Sequence, residues 1–261
     1  MAVGALLRQW RQRRRLSQLE LALAVESSAR HLSFVETGRS RPSKAMLLRL
    51  ADHLQIPLRQ RNELLVAAGY APEYTELDMS SLGVLRGSLD RLLAAYDPYP
   101  ALVFDGGYQV VAANGGVSRV MLSGVAPSLR TNLMRVVLHP DGLAPRVVNF
   151  PAWRLYLLDR MERQIASRPG LRPLYDEVSG YSVVRGAVGS SGPLPDPALV
   201  AQPFQVECEG TVLSFITTVG TFNTPLDVTV SELAIEAFLP ANELTAAFLP
   251  RLPRNADNKH I

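Results

Sequence analysis

Hydrophobic residues recur three and four residues apart through residues 4–69, which is the spacing of amphipathic helices. This pattern predicts five helices, at residues 4–15, 17–25, 28–37, 44–54 and 58–68. Ser17 is followed by Glu20 three residues later, a capping box for the second helix, and Ser27 or Ser28 caps the third. Gly38 stands where a helix C-terminus favours a residue at positive φ. Five short helices in one stretch predict a compact all-α bundle.

The second and third of these helices form a pair with a short connection. The second places Leu21 and Val25 on one side, and the third places Leu32 and Val35 inward. Small and polar side chains remain on the outer surface at the start of the third helix. This arrangement is the form of a helix-turn-helix, whose second helix enters the major groove of DNA.

Positive charge is concentrated in the same region. Residues 1–75 hold 12 Lys and Arg against 6 Asp and Glu, a balance of +6, whereas residues 76–261 hold 15 against 18, a balance of −3; together these give the net charge of +3. A module that contacts the phosphates of DNA requires such a concentration of positive charge. The charge therefore favours DNA binding over an adhesion or protein-binding bundle.

The rest of the chain predicts a mixed domain. Residues 70–81 are polar and read as a linker, and residues 82–96 form an amphipathic helix that either joins the domains or pairs with the same helix of a second subunit. Strands 101–105 and 108–114 flank Gly106-Gly107, a hairpin connection. Helical stretches follow at 116–122, 129–138, 146–167 and 171–178, then a Gly/Pro/Ser-rich loop at 186–198 and strands at 202–209, 211–219 and 231–239.

Two early strands that pair with three late ones predict a five-stranded antiparallel sheet with helices on one side. This order is similar to that of a PAS domain. The expected fold class is therefore α+β, with a helix-turn-helix bundle at residues 1–75, a linker and connecting helix at 76–96, and a PAS-like sensor domain at 97–261.

Composition excludes several other classes. The single cysteine, Cys208, rules out an intrachain disulfide framework and fits a reducing compartment. No apolar run reaches the roughly 18 residues that a membrane helix needs, and the basic run follows the short apolar one at the start, the reverse of a secretory signal. We expect a cytoplasmic protein that meets the chromosome.

Three segments of the first 75 residues resemble the XRE class of phage-repressor-type helix-turn-helix domains: SQLELA, RHLSFVETGRSRPS and LLRLADHLQIPLRQRNELLVAAGYAP. Within that class they are similar to the MmyB-like regulators of bacteria, as is DPYPALVFDGGYQVVAANGG in the second domain. The resemblance implies that Arg11 pairs with Glu36, that Gln18 anchors to phosphate, and that the second domain is PAS-like.

The start of the third helix is the expected DNA-reading surface. Arg30 suits direct readout, because a guanidinium can donate to both O6 and N7 of guanine. Ala29 and Phe34 are candidates for contact with thymine methyl groups, while the flanking cations hold phosphates. The candidate DNA-binding residues are Arg8, Gln18, Ser28, Ala29, Arg30, His31, Ser33, Phe34, Arg39, Arg41 and Lys44. Paired recognition helices about 34 Å apart read palindromic sites, so we expect a homodimer on double-stranded operator DNA.

An apolar stripe on the helix at 146–167, facing an apolar sheet, predicts an apolar ligand pocket in the second domain. The candidate lining residues are Phe104, Val110, Ala112, Trp153, Tyr156, Leu157, Met161, Phe215 and Ile235. For any one of them, an ordinary packed core is the alternative. We expect a lipophilic effector such as a fatty acid, with Arg154, Tyr156 or His139 meeting a carboxylate at the mouth.

Two other interpretations stay open. The second domain of a repressor can serve only to dimerise it, and an enzyme domain that uses His139 and Asp141 can be fused to a DNA-targeting module. The sequence favours neither, since His139-Pro140-Asp141 is a typical turn and no metal-binding spacing, nucleophile elbow or nucleotide loop is present. We expect no enzyme activity, no metal and no cofactor.

Overall fold

The structure is a computed structural model that describes residues 2–77, 83–182, 201–223 and 225–253. The chain divides into two compact units. Unit 1 comprises Met1–Met79 and Phe222–Ser231, and unit 2 comprises Ser80–Thr221 and Glu232–Ile261. The predicted loop at 186–198 and residues 78–82 of the predicted linker and connecting helix lie outside the described residues.

Unit 1 contains the predicted five helices. They are α1 (Val3–Arg13), α2 (Gln18–Ala24), α3 (Ala29–Glu36), α4 (Lys44–His53) and α5 (Leu58–Ala67). Ser17 and Glu20 form the expected capping box, and the Ser28 hydroxyl accepts from the His31 N–H at 3.1 Å. Apolar side chains from all five helices meet in one core, so the bundle prediction is confirmed.

Gly4 sets the distance between α1 and α3. A Cβ atom at this position would lie 2.3 Å from the Val35 carbonyl oxygen and 2.6 Å from that of Glu36. A real Cβ cannot approach backbone so closely, so only glycine lets the two helices pack at this separation.

Residues 73–77, inside the predicted linker, are bonded to the rest of unit 1. The Asn62 side chain accepts from the backbone N–H groups of Glu73 and Tyr74. Asp227 Oδ2 accepts from the Leu77 N–H at 3.0 Å, and the Thr229 hydroxyl donates to the Leu77 carbonyl at 2.7 Å. The connection between two strands of the sheet therefore contributes to unit 1.

Unit 2 begins with α6 (Gly83–Ala94), which is followed by strands β1 (Ala101–Phe104) and β2 (Val110–Ala113). Helices α7 (Gly115–Val120), α8 (Leu133–Leu138), α9 (Phe150–Ile165) and α10 (Arg172–Ser179) come next. Strands β3 (Phe204–Cys208), β4 (Thr211–Thr221) and β5 (Ala234–Pro240) and helix α12 (Glu243–Phe248) complete it. Helix α11 (Val228–Glu232), between β4 and β5, belongs to unit 1 except for its last residue. The strands form one antiparallel five-stranded sheet, as predicted, and their order in the sheet is β2-β1-β5-β4-β3.

The expected strand at 231–239 starts too early. Ser231 lies in α11, and β5 begins only at Ala234. Asp227 Oδ1 accepts from the Val230 N–H, which holds the start of this short helix. The cap starts a short helix that continues through Glu232, so this helix includes the first two residues of the predicted strand.

Helices cover more than the one expected face of the sheet. Leu102 and Phe104 belong to the large core shared with α7–α10. Ala101 and Val103 are also buried, and they point the other way because neighbours on a strand alternate. Helix α6 packs against β1 and β2 and buries Leu89. Two residues of its predicted apolar stripe, Leu89 and Leu93, are therefore buried within unit 2.

Candidate DNA interface and effector cavity

The N-terminal half of α3 presents the predicted DNA-reading side chains on its outer surface. Leu32 and Val35 are completely buried, whereas Arg30 is exposed. The Arg30 guanidinium lies over the Phe34 ring at 5.5 Å, so the two side chains form one surface. Ala29, His31 and Ser33 are half-buried beside them. The arrangement leaves a guanidinium and small groups at the helix start, where a recognition helix meets base edges.

Behind this surface, Glu36 joins three helices. Arg11 donates to both of its carboxylate oxygens, and Gln18 Nε2 donates to Oε2 at 2.8 Å. Burial opposes ionisation of Glu36, but the bonds from Arg11 and Gln18 and the charge of Arg8 outweigh it, so the pKa of Glu36 lies below its ordinary value. The Arg11–Glu36 pair that the resemblance implied is confirmed. The Gln18 amide keeps one N–H beyond the bond to Glu36, as its predicted phosphate contact requires.

Two of the predicted phosphate-binding cations have partners inside unit 1. Arg41 donates from Nε to the Ala68 carbonyl at 2.9 Å and from Nη2 to the Gly69 carbonyl at 3.2 Å, so it caps the C-terminus of α5. Lys44 forms an ion pair with Glu73. These partners lie almost 30 residues away along the chain, which is why the local pattern did not reveal them. Arg8 and Arg39 are exposed on the surface.

Unit 2 contains a small cavity between its helices and its sheet. Its volume is about 10 Å³, enough for one water molecule. The lining residues are Met121, Leu133, Met134, Val137, Trp153, Leu157, Phe204, Glu236 and Phe238. Of these, Trp153 and Leu157 were among the predicted lining residues.

The other predicted lining residues fall into two groups. Phe104, Val110, Met161 and Phe215 lie in or against the core that surrounds the cavity. Tyr156 packs on Trp153 but is 39% exposed.

Ala112 and Ile235 were predicted on the wrong face of the sheet. Ile235 is next to Glu236, which lines the cavity, so it points to the opposite side. Both Ala112 and Ile235 pair with Val103, which places all three in one row on that side. A register shift between Val103 and Phe104 changes the alternation along β2, which is why Val110 and Ala112 do not share a face.

Glu236 is the lining residue that sequence reasoning missed. Its side chain is 5% exposed, and among the described residues its Oε2 atom has no hydrogen-bond partner. The nearest cation is Arg160, whose Nη1 lies 3.7 Å from Oε2, beyond hydrogen-bond distance. Burial raises the pKa of Glu236, and the charge of Arg160 opposes this only in part. An acidic residue in the apolar strand AIEAFLP was the available signal.

The three residues expected at a pocket mouth do not line this cavity. Arg154 Nη2 donates to the Ser179 carbonyl at 2.6 Å. His139 Nδ1 accepts from the Asp141 N–H at 3.0 Å, and its ring packs edge-on against Tyr181. His139 and Asp141 therefore meet within a turn, with the Asp141 side chain 82% exposed. Within the described ranges, no cluster of His, Cys, Asp and Glu could hold a metal ion.

Comparison with known families assigns both units. The model of the family described as MmyB-like transcription regulator ligand binding domain matches residues 85–252, well over half of the chain. The chain belongs to the MmyB-like transcription regulators. A model described as helix-turn-helix domain matches residues 2–64. A search of curated proteins finds no match to the chain.

These matches agree with the geometry of both sites. The helix-turn-helix match covers α1–α5 up to residue 64 and includes the whole of α3, and the ligand-binding match includes every residue that lines the cavity. The protein is thus a ligand-responsive transcription regulator whose partners are DNA and a small-molecule effector. No helix in the described part of the chain is long and apolar enough to cross a membrane.

Proposed function

We propose that this regulator reads operator DNA with α3 and that a small apolar effector, of which a fatty acid is the first class to test, enters the core of unit 2 and changes operator affinity. The observation that carries the proposal is the cavity between α9 and the sheet. Eight of its nine lining side chains are apolar or aromatic. Ligand pockets are typically lined in this way, with few polar groups.

The cavity must grow to accept such a molecule. Ligand pockets usually enclose roughly 300–1,000 Å³, whereas this cavity has about 10 Å³. Met121 and Met134 form part of its wall, and methionine adapts its three rotatable bonds to irregular spaces. We infer that the effector is accommodated by repacking of these side chains.

The experiment measures operator affinity with and without effector. Genomic fragments selected by the full-length protein at low ionic strength supply the operator. Fluorescence anisotropy then gives the dissociation constant at increasing concentrations of fatty acids of graded chain length. A change in operator affinity that saturates with fatty-acid concentration supports the proposal, because an effector acts only through differential affinity for two states. Unchanged affinity at a saturating concentration rules out a fatty acid as the effector, and unchanged affinity with neutral apolar molecules as well contradicts the sensor function.

A second candidate is a domain that only dimerises, and the small size of the cavity favours it. Under this alternative the core stays closed, and operator affinity depends on protein concentration alone. We propose a homodimer in both cases, which sedimentation equilibrium of the full chain tests. The operator titrations with and without effector separate the two, because only the sensor responds to effector.

We also propose that the protein does not transform its effector. The contact between His139 and Asp141 is a turn contact, away from the cavity lining. Mass spectrometry of the effector after prolonged incubation with the protein tests this, and a chemically altered product would favour the enzyme alternative.

A further inference from the structure

Glu236 is aimed into the cavity by the alternation of β5. Phe238, two residues further along, lines the same wall, and the cross-strand neighbour Leu102 belongs to the same core. Every other side chain on this wall is apolar or aromatic. A carboxylate at this position is costly to bury unless its oxygens receive hydrogen bonds.

The described side chains do not supply the missing bond. Arg160 Nη1 is 3.7 Å from Oε2, a distance at which the two charges attract each other without a hydrogen bond. The Arg160 guanidinium lies over the ring of Tyr108 at 5.8 Å. Arg160 therefore balances the charge of Glu236, while Oε2 of this cavity-lining side chain has no hydrogen-bond partner among the described residues.

A water molecule is a poor substitute for a partner. A buried water typically makes about three hydrogen bonds. Among the lining side chains it would find only the Glu236 carboxylate and the Trp153 indole as strong hydrogen-bonding groups. A ligand that brings one donor and fills the apolar remainder satisfies the site better.

We propose that Glu236 accepts a hydrogen bond from the polar end of the effector, and that the cavity therefore selects a neutral apolar molecule that ends in a hydroxyl or amide N–H. A second carboxylate would place an uncompensated negative charge beside a pair that Arg160 already balances. A neutral donor adds no charge, and at least one Glu236 oxygen can accept whether the group is ionised or protonated. This inference rests on the proposed function, since it names the chemistry of the effector for the same cavity.

The test compares three ligands of equal chain length on the full-length protein: dodecanol, its methyl ether and dodecanoic acid. Isothermal titration calorimetry gives each dissociation constant, and the tryptophan fluorescence of the Trp10→Phe variant, in which Trp153 is the remaining tryptophan of the sequence, reports on the cavity. We expect dodecanol to bind about tenfold more tightly than the ether, which lacks a donor, and also more tightly than the acid.

Two variants of Glu236 and one control separate the carboxylate from the fold. Glu236→Met replaces the acceptor with an apolar side chain of similar length. We expect this variant to bind dodecanol about tenfold more weakly than the wild type and to bind the ether with unchanged affinity. Glu236→Gln keeps an acceptor oxygen, so it should retain most of the preference for the alcohol. Glu162→Gln removes a carboxylate from the exposed side of α9 and should change none of the three constants.

Each outcome decides one question. If the acid binds more tightly than the alcohol, if alcohol and ether bind equally, or if Glu236→Met binds dodecanol like the wild type, the inference is overturned while the sensor function stands. If none of the three ligands binds, both the inference and the apolar effector are overturned.

Discussion

Arg11 donates two parallel hydrogen bonds to the carboxylate of Glu36, from Nε to Oε1 at 2.7 Å and from Nη2 to Oε2 at 2.9 Å. The two side chains are 11% and 2% exposed, so the pair is shielded from water. It joins the first helix of the bundle to the helix that carries the DNA-reading side chains. The orientation of α3 therefore depends on a contact within the protein that forms without DNA.

Glu36→Gln should destabilise the protein by about 2 kcal/mol, because Arg11 loses a charged acceptor in a buried position. The pKa of Glu36 is lowered in the folded state, so its contribution is present above the ordinary value of 4.5 and is lost as the pH falls through the lowered pKa. Urea denaturation of both proteins across this range measures the difference. Glu63→Gln, an exposed substitution on α5, is the control and should have little effect. An equal loss for both variants would contradict the role of the pair.

Arg30→Ala and Arg39→Ala should have different effects on DNA binding. Loss of Arg30 is expected to cost about 1–3 kcal/mol on the operator and to relax preference at one base pair. Loss of Arg39 should weaken binding to all sequences and reduce the salt slope by about one. Anisotropy titrations on operator and random duplexes over a range of salt concentrations measure both. Equal losses on both duplexes for both variants would show that the division of roles is wrong.

Arg41→Ala should lower stability first and DNA affinity only as a consequence. Its guanidinium caps α5 and lies 4.8 Å from the centre of the Tyr70 ring, contacts together worth about 1–2 kcal/mol. Thermal unfolding measures the loss, and DNA titrations well below the melting temperature show whether affinity changes separately. A large loss of affinity without a loss of stability would restore Arg41 as a phosphate contact.

Replacing both Glu236 and Arg160 with methionine should stabilise the protein by about 2 kcal/mol, because a buried charged pair is replaced by apolar side chains. Replacing Glu236 alone would leave the charge of Arg160 uncompensated. The pKa of Glu236 is raised by burial, so the folded state holds its proton more tightly than the unfolded chain does. Wild-type stability should therefore fall as the pH rises from 4.5 through the raised pKa, and the advantage of the double variant should grow over the same range. Denaturant titrations at several pH values check this, and a double variant less stable than the wild type at all pH values would contradict it.

Short-range signals in the sequence were sufficient for most of the fold. The capping box at Ser17 and Glu20 acts over three residues, and Gly106-Gly107 lies within the observed connection between β1 and β2. The resemblance supplied the one long-range pair, Arg11 with Glu36.

The cavity could be predicted only in part, because its geometry depends on contacts between distant residues. Trp153 and Leu157 could be predicted as lining residues, because the helical periodicity of α9 depends only on one continuous segment of the sequence. The displaced alternation at Ala112 comes from an irregularity in pairing with β1, which no pattern within β2 reveals. Glu236 and Arg160 are more than 70 residues apart, so the carboxylate was recognisable as an exception in its strand but its partner was not.

The bonds that link Leu77 to Asp227 and Thr229 limit how the protein can be dissected. Unit 1 takes residues 222–231 from between β4 and β5, the two strands with the longest pairing in the sheet. A fragment that stops at residue 75 omits this segment, and a fragment that includes it must cut the sheet. No single cleavage point therefore releases the whole of unit 1, although the apolar core of its five helices lies entirely between residues 3 and 70.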